Sequence, residues 1–88
     1  MTKREMITEL NKLGLVLIVN HEDNWAIGVS RFANVMMGFN PRTTVENYSG
    51  GVNFKIINAN LFTGEEIKGA SRIVHDFLMT PLSKREVN

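Results

Sequence analysis

From Trp25 to Phe39 the chain repeats with period two for fifteen residues, and this stretch constrains the fold more than any other. The odd positions are Trp25, Ile27, Val29, Arg31, Ala33, Val35, Met37 and Phe39, apolar but for Arg31. The even positions, Ala26, Gly28, Ser30, Phe32, Asn34, Met36, Gly38 and Asn40, are smaller or more polar. Successive side chains of a strand point to opposite faces, so the pattern predicts β-structure, as two strands folded near Ser30–Ala33. A rival reading stays open: Phe32, Val35, Met36 and Phe39 also fit the spacing of a short helix.

The flanking segments predict an α+β fold. Thr2 and Glu5 make a capping box ahead of a helix from about Lys3 to Leu13, with Met6, Ile7, Leu10 and Leu13 on its apolar stripe and Gly14 as the left-handed residue that ends it. Leu15–Val19 is apolar at every position, which reads as a strand covered on both faces and central in its sheet. Asn20–Asn24 reads as a polar turn, Asn40–Gly51 as a long loop, and Val52–Ile56 as a further alternating strand that Asn58–Phe62 leaves. Thr63 and Glu66 form a second capping box, for a helix with Ile67, Ala70, Val74, Phe77 and Leu78 inward and Lys68, Arg72, His75 and Met79 outward. Thr80-Pro81 stops it, and Ser83–Asn88 follows as a charged tail. The order is helix, a three- to four-stranded, mostly antiparallel meander, then a helix packed on the sheet, as one domain over residues 1–88.

Bulk properties narrow the functions. Ten basic and nine acidic residues are spread along the chain with no charge run, which fits neither a strong phosphate binder nor an acidic DNA mimic. Cysteine is absent, removing disulfides, thiolate chemistry and cysteine metal sites. The longest apolar run is Leu15–Val19, far short of the roughly twenty residues that span a bilayer. With a charged start and no apolar segment behind it, the expected compartment is the cytoplasm.

Candidate chemistry is sparse. His21-Glu22-Asp23 lie consecutively in a turn, so their side chains diverge, and no metal site is expected. His75 and Asp76 are consecutive on a helix, about 100° apart, which does not make a base and its orienter. None of Ser30, Ser49, Ser71 and Ser83 sits in a nucleophile elbow. Ser49-Gly50-Gly51 lacks the spacing of a phosphate loop and reads as a turn into a strand. No catalytic residue and no cofactor are therefore assigned.

Binding residues are easier to nominate. Trp25, Phe32, Met36, Met37, Phe39, Arg42 and Tyr48 are of types enriched at protein interfaces, and methionine adapts to varied surfaces. Both faces of the Trp25–Phe39 strands cannot be buried unless something covers the second, either the long loop, a second copy of the chain or a foreign protein. A weaker alternative is single-stranded nucleic acid, with Arg31, Arg42 and Lys55 on phosphates and neighbouring aromatic rings on bases. The pattern around Phe54 is not that of an RNA-recognition strand.

The segment Asp76-Phe77-Leu78-Met79-Thr80-Pro81-Leu82-Ser83-Lys84-Arg85-Glu86 resembles the C-terminal signature of small accessory proteins of temperate phages and prophages of Gram-positive bacteria, in which a helix closes with Thr-Pro, an aliphatic residue and a charged Arg-Glu tail. The resemblance covers these eleven residues alone. It implies a small cytoplasmic product that binds and redirects a host protein, a class that includes inhibitors of CRISPR nucleases. The even charge departs from the acidic DNA-mimicking inhibitors. Residues and resemblance together lead to the expectation of a non-enzymatic protein-interaction module, a possible homodimer, with no membrane association.

Overall fold

The computed structural model describes residues 1–29, 35–43 and 54–86, with Phe54, Lys55 and Ala59 described in their backbone alone. Helix α1 (Lys3–Lys12) leads into strands β1 (Val16–His21), β2 (Asn24–Gly28), β3 (Val35–Phe39) and β4 (Phe54–Ile56). Helix α2 (Gly64–Met79) follows, with short 3₁₀ turns at Ala59–Leu61 and Leu82–Lys84. The strands form one antiparallel sheet in the order β1-β2-β3-β4. This is the α+β helix–meander–helix expected, and residues 35–39 are strand rather than the rival helix.

Both helices start where their capping boxes place them. The Thr2 hydroxyl accepts from the Glu5 N–H at 3.2 Å, and the Thr2 N–H donates to the Glu5 carboxylate at 2.9 Å. Thr63 and Glu66 repeat the exchange at 3.1 and 2.8 Å. Each box satisfies donors that a helix start leaves unpaired. Gly14 ends α1 at φ 77°, a conformation in which a side chain is strained.

One sheet face meets the helices. Trp25 pairs with Phe39 and Ile27 with Met37, so these four share a face and pack with Met6 and Leu10 of α1 and Ala70, Ile73, Val74, Phe77 and Leu78 of α2. Ile73 belongs to this buried set although the helical stripe read from the sequence omits it, and Ile67 is only half-buried. The rings of Trp25, Phe39 and Phe77 form a triangle with centroids 5.7 to 6.4 Å apart. Edge-to-face and tilted arrangements of this kind add attraction beyond the area they bury.

Two expectations are corrected. The Leu15–Val19 run does not make a central strand. Leu15 is a buried connector from α1, and the strand itself, Val16–His21, is the first edge of the sheet, half-buried over Val16–Ile18 and exposed from Val19 onward. A meander pairs sequence neighbours, so the first strand falls at an edge, and α1 covers it from one side. The polar turn is also tighter than expected: β1 runs to His21, which pairs with Asn24, leaving Glu22-Asp23 as the turn.

Met36 explains how two adjacent methionines are both buried. Ile27 pairs with Met37 and Gly28 with Val35, so Met36 is the extra residue of a β-bulge. Strict alternation would send Met36 and Met37 to opposite faces, but a bulge re-aims a side chain, and both belong to the same core cluster.

Candidate functional site

The residues nominated for partner binding are mostly core. Trp25, Met36, Met37 and Phe39 are brought together as expected of a cluster, but inside the molecule, with exposures of 0 to 5%. All four belong to the core cluster that the helices cover. Interface-type composition does not tell a surface aromatic from a core one, because the same apolar area drives both burials. Phe32 and Tyr48 lie outside the described residues, as does Arg31 of the nucleic-acid set. The Lys55 side chain is likewise outside them, and Arg42 is half-buried in the Asn40–Thr43 turn, its N–H donating to Asn40 Oδ1 at 2.9 Å.

Polar chemistry does not converge among the described residues. His75 Nδ1 stands 3.9 Å from Asp76 Oδ1, both more than half exposed, too long for an orienting hydrogen bond. His21, Glu22 and Asp23 are exposed, and among the described residues no three metal-ligating side chains gather. A groove of about 420 Å³ along α1 is lined by Met1, Arg4, Glu5, Thr8 and Glu9. Both of its carboxylates are engaged: Glu9 pairs with Lys12 at 2.6 Å, and Glu5 closes the capping box. The Thr2 backbone N–H, and after it the Thr2 hydroxyl, hold the Glu5 carboxyl below the usual carboxylate range. A second groove of about 240 Å³, lined by Leu13, Glu65, Lys68, Gly69 and Arg72, carries solvated charges around the end of α1.

The feature that stands out is apolar and lies at the β4 edge. Ile56, paired to Met37, ends the last strand at 42% exposure; Ile57 is at 40% and Leu61 at 54%. The backbone holds them firmly. The Ile57 N–H donates to the carbonyl of the bulged Met36 at 2.6 Å, and Asn58 Nδ2 donates to the Val35 carbonyl at 3.2 Å. Asn58 adopts a left-handed φ of 55°, which Asn tolerates, and the Leu61 N–H closes the following turn on its carbonyl at 2.9 Å. Three exposed aliphatic side chains within six residues, on a sheet edge with fixed backbone, differ from the scattered exposed apolar residues of any surface. The sequence does not single them out, because Asn58–Phe62 reads as an exit from a strand. The usable signal is the aliphatic pair Ile56-Ile57, one residue more than an alternating strand allows.

The chain matches no protein-family model, no curated protein and no solved structure. Among the described residues, no helix is long and apolar enough to cross a membrane.

Proposed function

We propose that this chain is a small non-enzymatic interaction module that engages another protein through the β4 edge and the turn after it. The exposure of Ile56, Ile57 and Leu61 on a fixed edge carries this reading. An edge strand offers backbone groups for pairing, and flanking aliphatic side chains supply the apolar contact that gives such pairing affinity. On this reading the contact surface lies beside, not on, the aromatic cluster. The resemblance to phage accessory proteins would make the partner a host protein. Within the matching segment Phe77, Leu78 and Arg85 are buried in this chain's own fold, while Met79 and Leu82 are exposed. Copies of the chain could also pair through the same edge, as a homodimer.

The test is capture from lysate, after nuclease treatment, by the wild-type chain and by an Ile57→Ser, Leu61→Ser variant, with light scattering to fix the oligomeric state. A protein retained by the wild type and lost by the variant, or a homodimer that the variant dissociates, is the expected result. Capture abolished by nuclease would favour the nucleic-acid reading. A wild-type monomer that retains nothing the variant loses would overturn the proposal.

A further inference from the structure

Residues 80–86 turn back beneath the end of α2, fastened at their start by the Thr80 hydroxyl, which accepts from the Met1 ammonium and donates to the Asp76 carbonyl, and beyond it by the long side chain of Arg85. Arg85 is 1% exposed, in a segment where Pro81, Leu82, Ser83, Lys84 and Glu86 are all exposed. Its guanidinium reaches backbone carbonyls from two separate parts of the chain. Nε donates to Thr80 at 2.7 Å and Nη2 to Leu78 at 2.7 Å, both at the end of α2. Nη1 donates to Pro41 at 2.9 Å and Thr43 at 2.7 Å, in the turn that leaves β3. The Arg85 carbonyl in turn accepts from the Lys3 N–H at 2.9 Å.

These contacts sit over the aromatic triangle. The guanidinium lies 5.8 Å from the centre of the Phe77 ring, and the Lys3 ammonium lies 5.2 Å from that of Trp25. Two cations held by adjoining segments thus cap the rings. The remaining backbone bonds within residues 80–86 are local, from Lys84 to Pro81 at 2.8 Å and from Arg85 to Leu82 at 3.2 Å.

We propose that residues 80–86 are a strap that opens and closes over the Trp25–Phe39–Phe77 cluster as one unit, with Arg85 as the peg that sets the equilibrium. A planar, forked donor set that bridges carbonyls of both segments couples them, since its withdrawal takes the shared donor from both. Withdrawing it frees the end of α2, the turn after β3 and the Lys3 contact together, while the β1–β2 ladder, which meets the strap only through the Trp25 ring and is held by its own backbone pairing, stays closed. Segments with few buried apolar contacts form such low-stability opening units. The strap is independent of the β4-edge reading, since Ile56, Ile57 and Leu61 make none of its contacts.

Native-state hydrogen exchange on the full chain tests this. The amides of Lys3, Thr43, Lys84 and Arg85 are expected to share one opening constant, about ten-fold or more above that of the β1–β2 ladder. In Arg85→Lys, whose ammonium is a point charge without the fork, that shared constant should rise about ten-fold again while the ladder is unchanged. Acrylamide quenching of Trp25, the sole tryptophan, should rise in parallel. Four amides opening at unrelated rates, or together with the ladder, would overturn the proposal, as would a lysine variant that accelerates both sets alike. If that variant does not fold, the wild-type comparison of the two sets decides by itself.

Discussion

Phe77 meets two other rings at once, Trp25 from β2 and Phe39 from β3, and is fully buried. Phe77→Ala should therefore cost about 3–5 kcal/mol, a large part of the stability of a domain this size, as a fall in the urea midpoint would show. Glu5 gives a prediction of known sign. Its folded pKa is held below the unfolded value, so its contribution is present above the ordinary carboxylate range and is lost as pH falls through the depressed folded value. Glu5→Gln should flatten the acid limb of a stability–pH curve and leave its neutral to basic part parallel to wild type. An identical acid limb in the variant would contradict this. At this scale the sequence shows residue type but not which face a residue serves. Trp25, Met36, Met37 and Phe39 read as contact residues because their composition suits an interface and a core equally. Arg85 reads as part of a charged tail, because its partners at Pro41 and Thr43 are more than forty residues away in the chain.

Helices are the most legible elements, since their signals are local. Both capping boxes form where Thr2 and Thr63 place them. Thr63→Ala should cost about 1 kcal/mol in thermal or chemical denaturation. Two glycines, one after α1 and one within α2, should respond in opposite ways. Gly14 has open space where a Cβ would sit but a positive φ, so Gly14→Ala should destabilise by about 1 kcal/mol. Gly69 lies within α2, where an added Cβ would come 2.7 Å from Leu13 Cδ1, the end of a partly exposed side chain that can swing away. Gly69→Ala should thus be neutral or stabilising by up to about 1 kcal/mol, because alanine favours a helix interior over glycine. A marked loss at Gly69 would show that Leu13 is held in place. Strands are less legible. Period two names β2 and β3 but cannot show the bulge at Met36, which depends on pairing across strands. The apolar run before Asn20 misplaces β1, because uniform hydrophobicity does not tell a two-sided strand from a buried connector plus an edge.

For the whole molecule, each strand pairs with its neighbour in sequence, and this meander order decides which residues end at an edge. Trp25 and Phe39 fall on the two middle strands and are covered, while Ile56, Ile57 and Leu61 fall at and beyond the last strand and are not. The proposed function rests on that difference rather than on any convergence of polar groups. Ile57→Ser with Leu61→Ser should cost about 2–3 kcal/mol of folding stability, since about half of each side chain is already solvated, while removing the proposed contact. The most direct measurement is site-specific photo-crosslinking in the cells that make the protein, with a photoreactive side chain at position 57 or 61 and a control at Asn11, which is exposed on α1. Crosslinks to one protein from positions 57 and 61, and none from 11, are predicted. No crosslinks at 57 and 61, or the same ones from all three positions, would contradict an interaction module working through this edge.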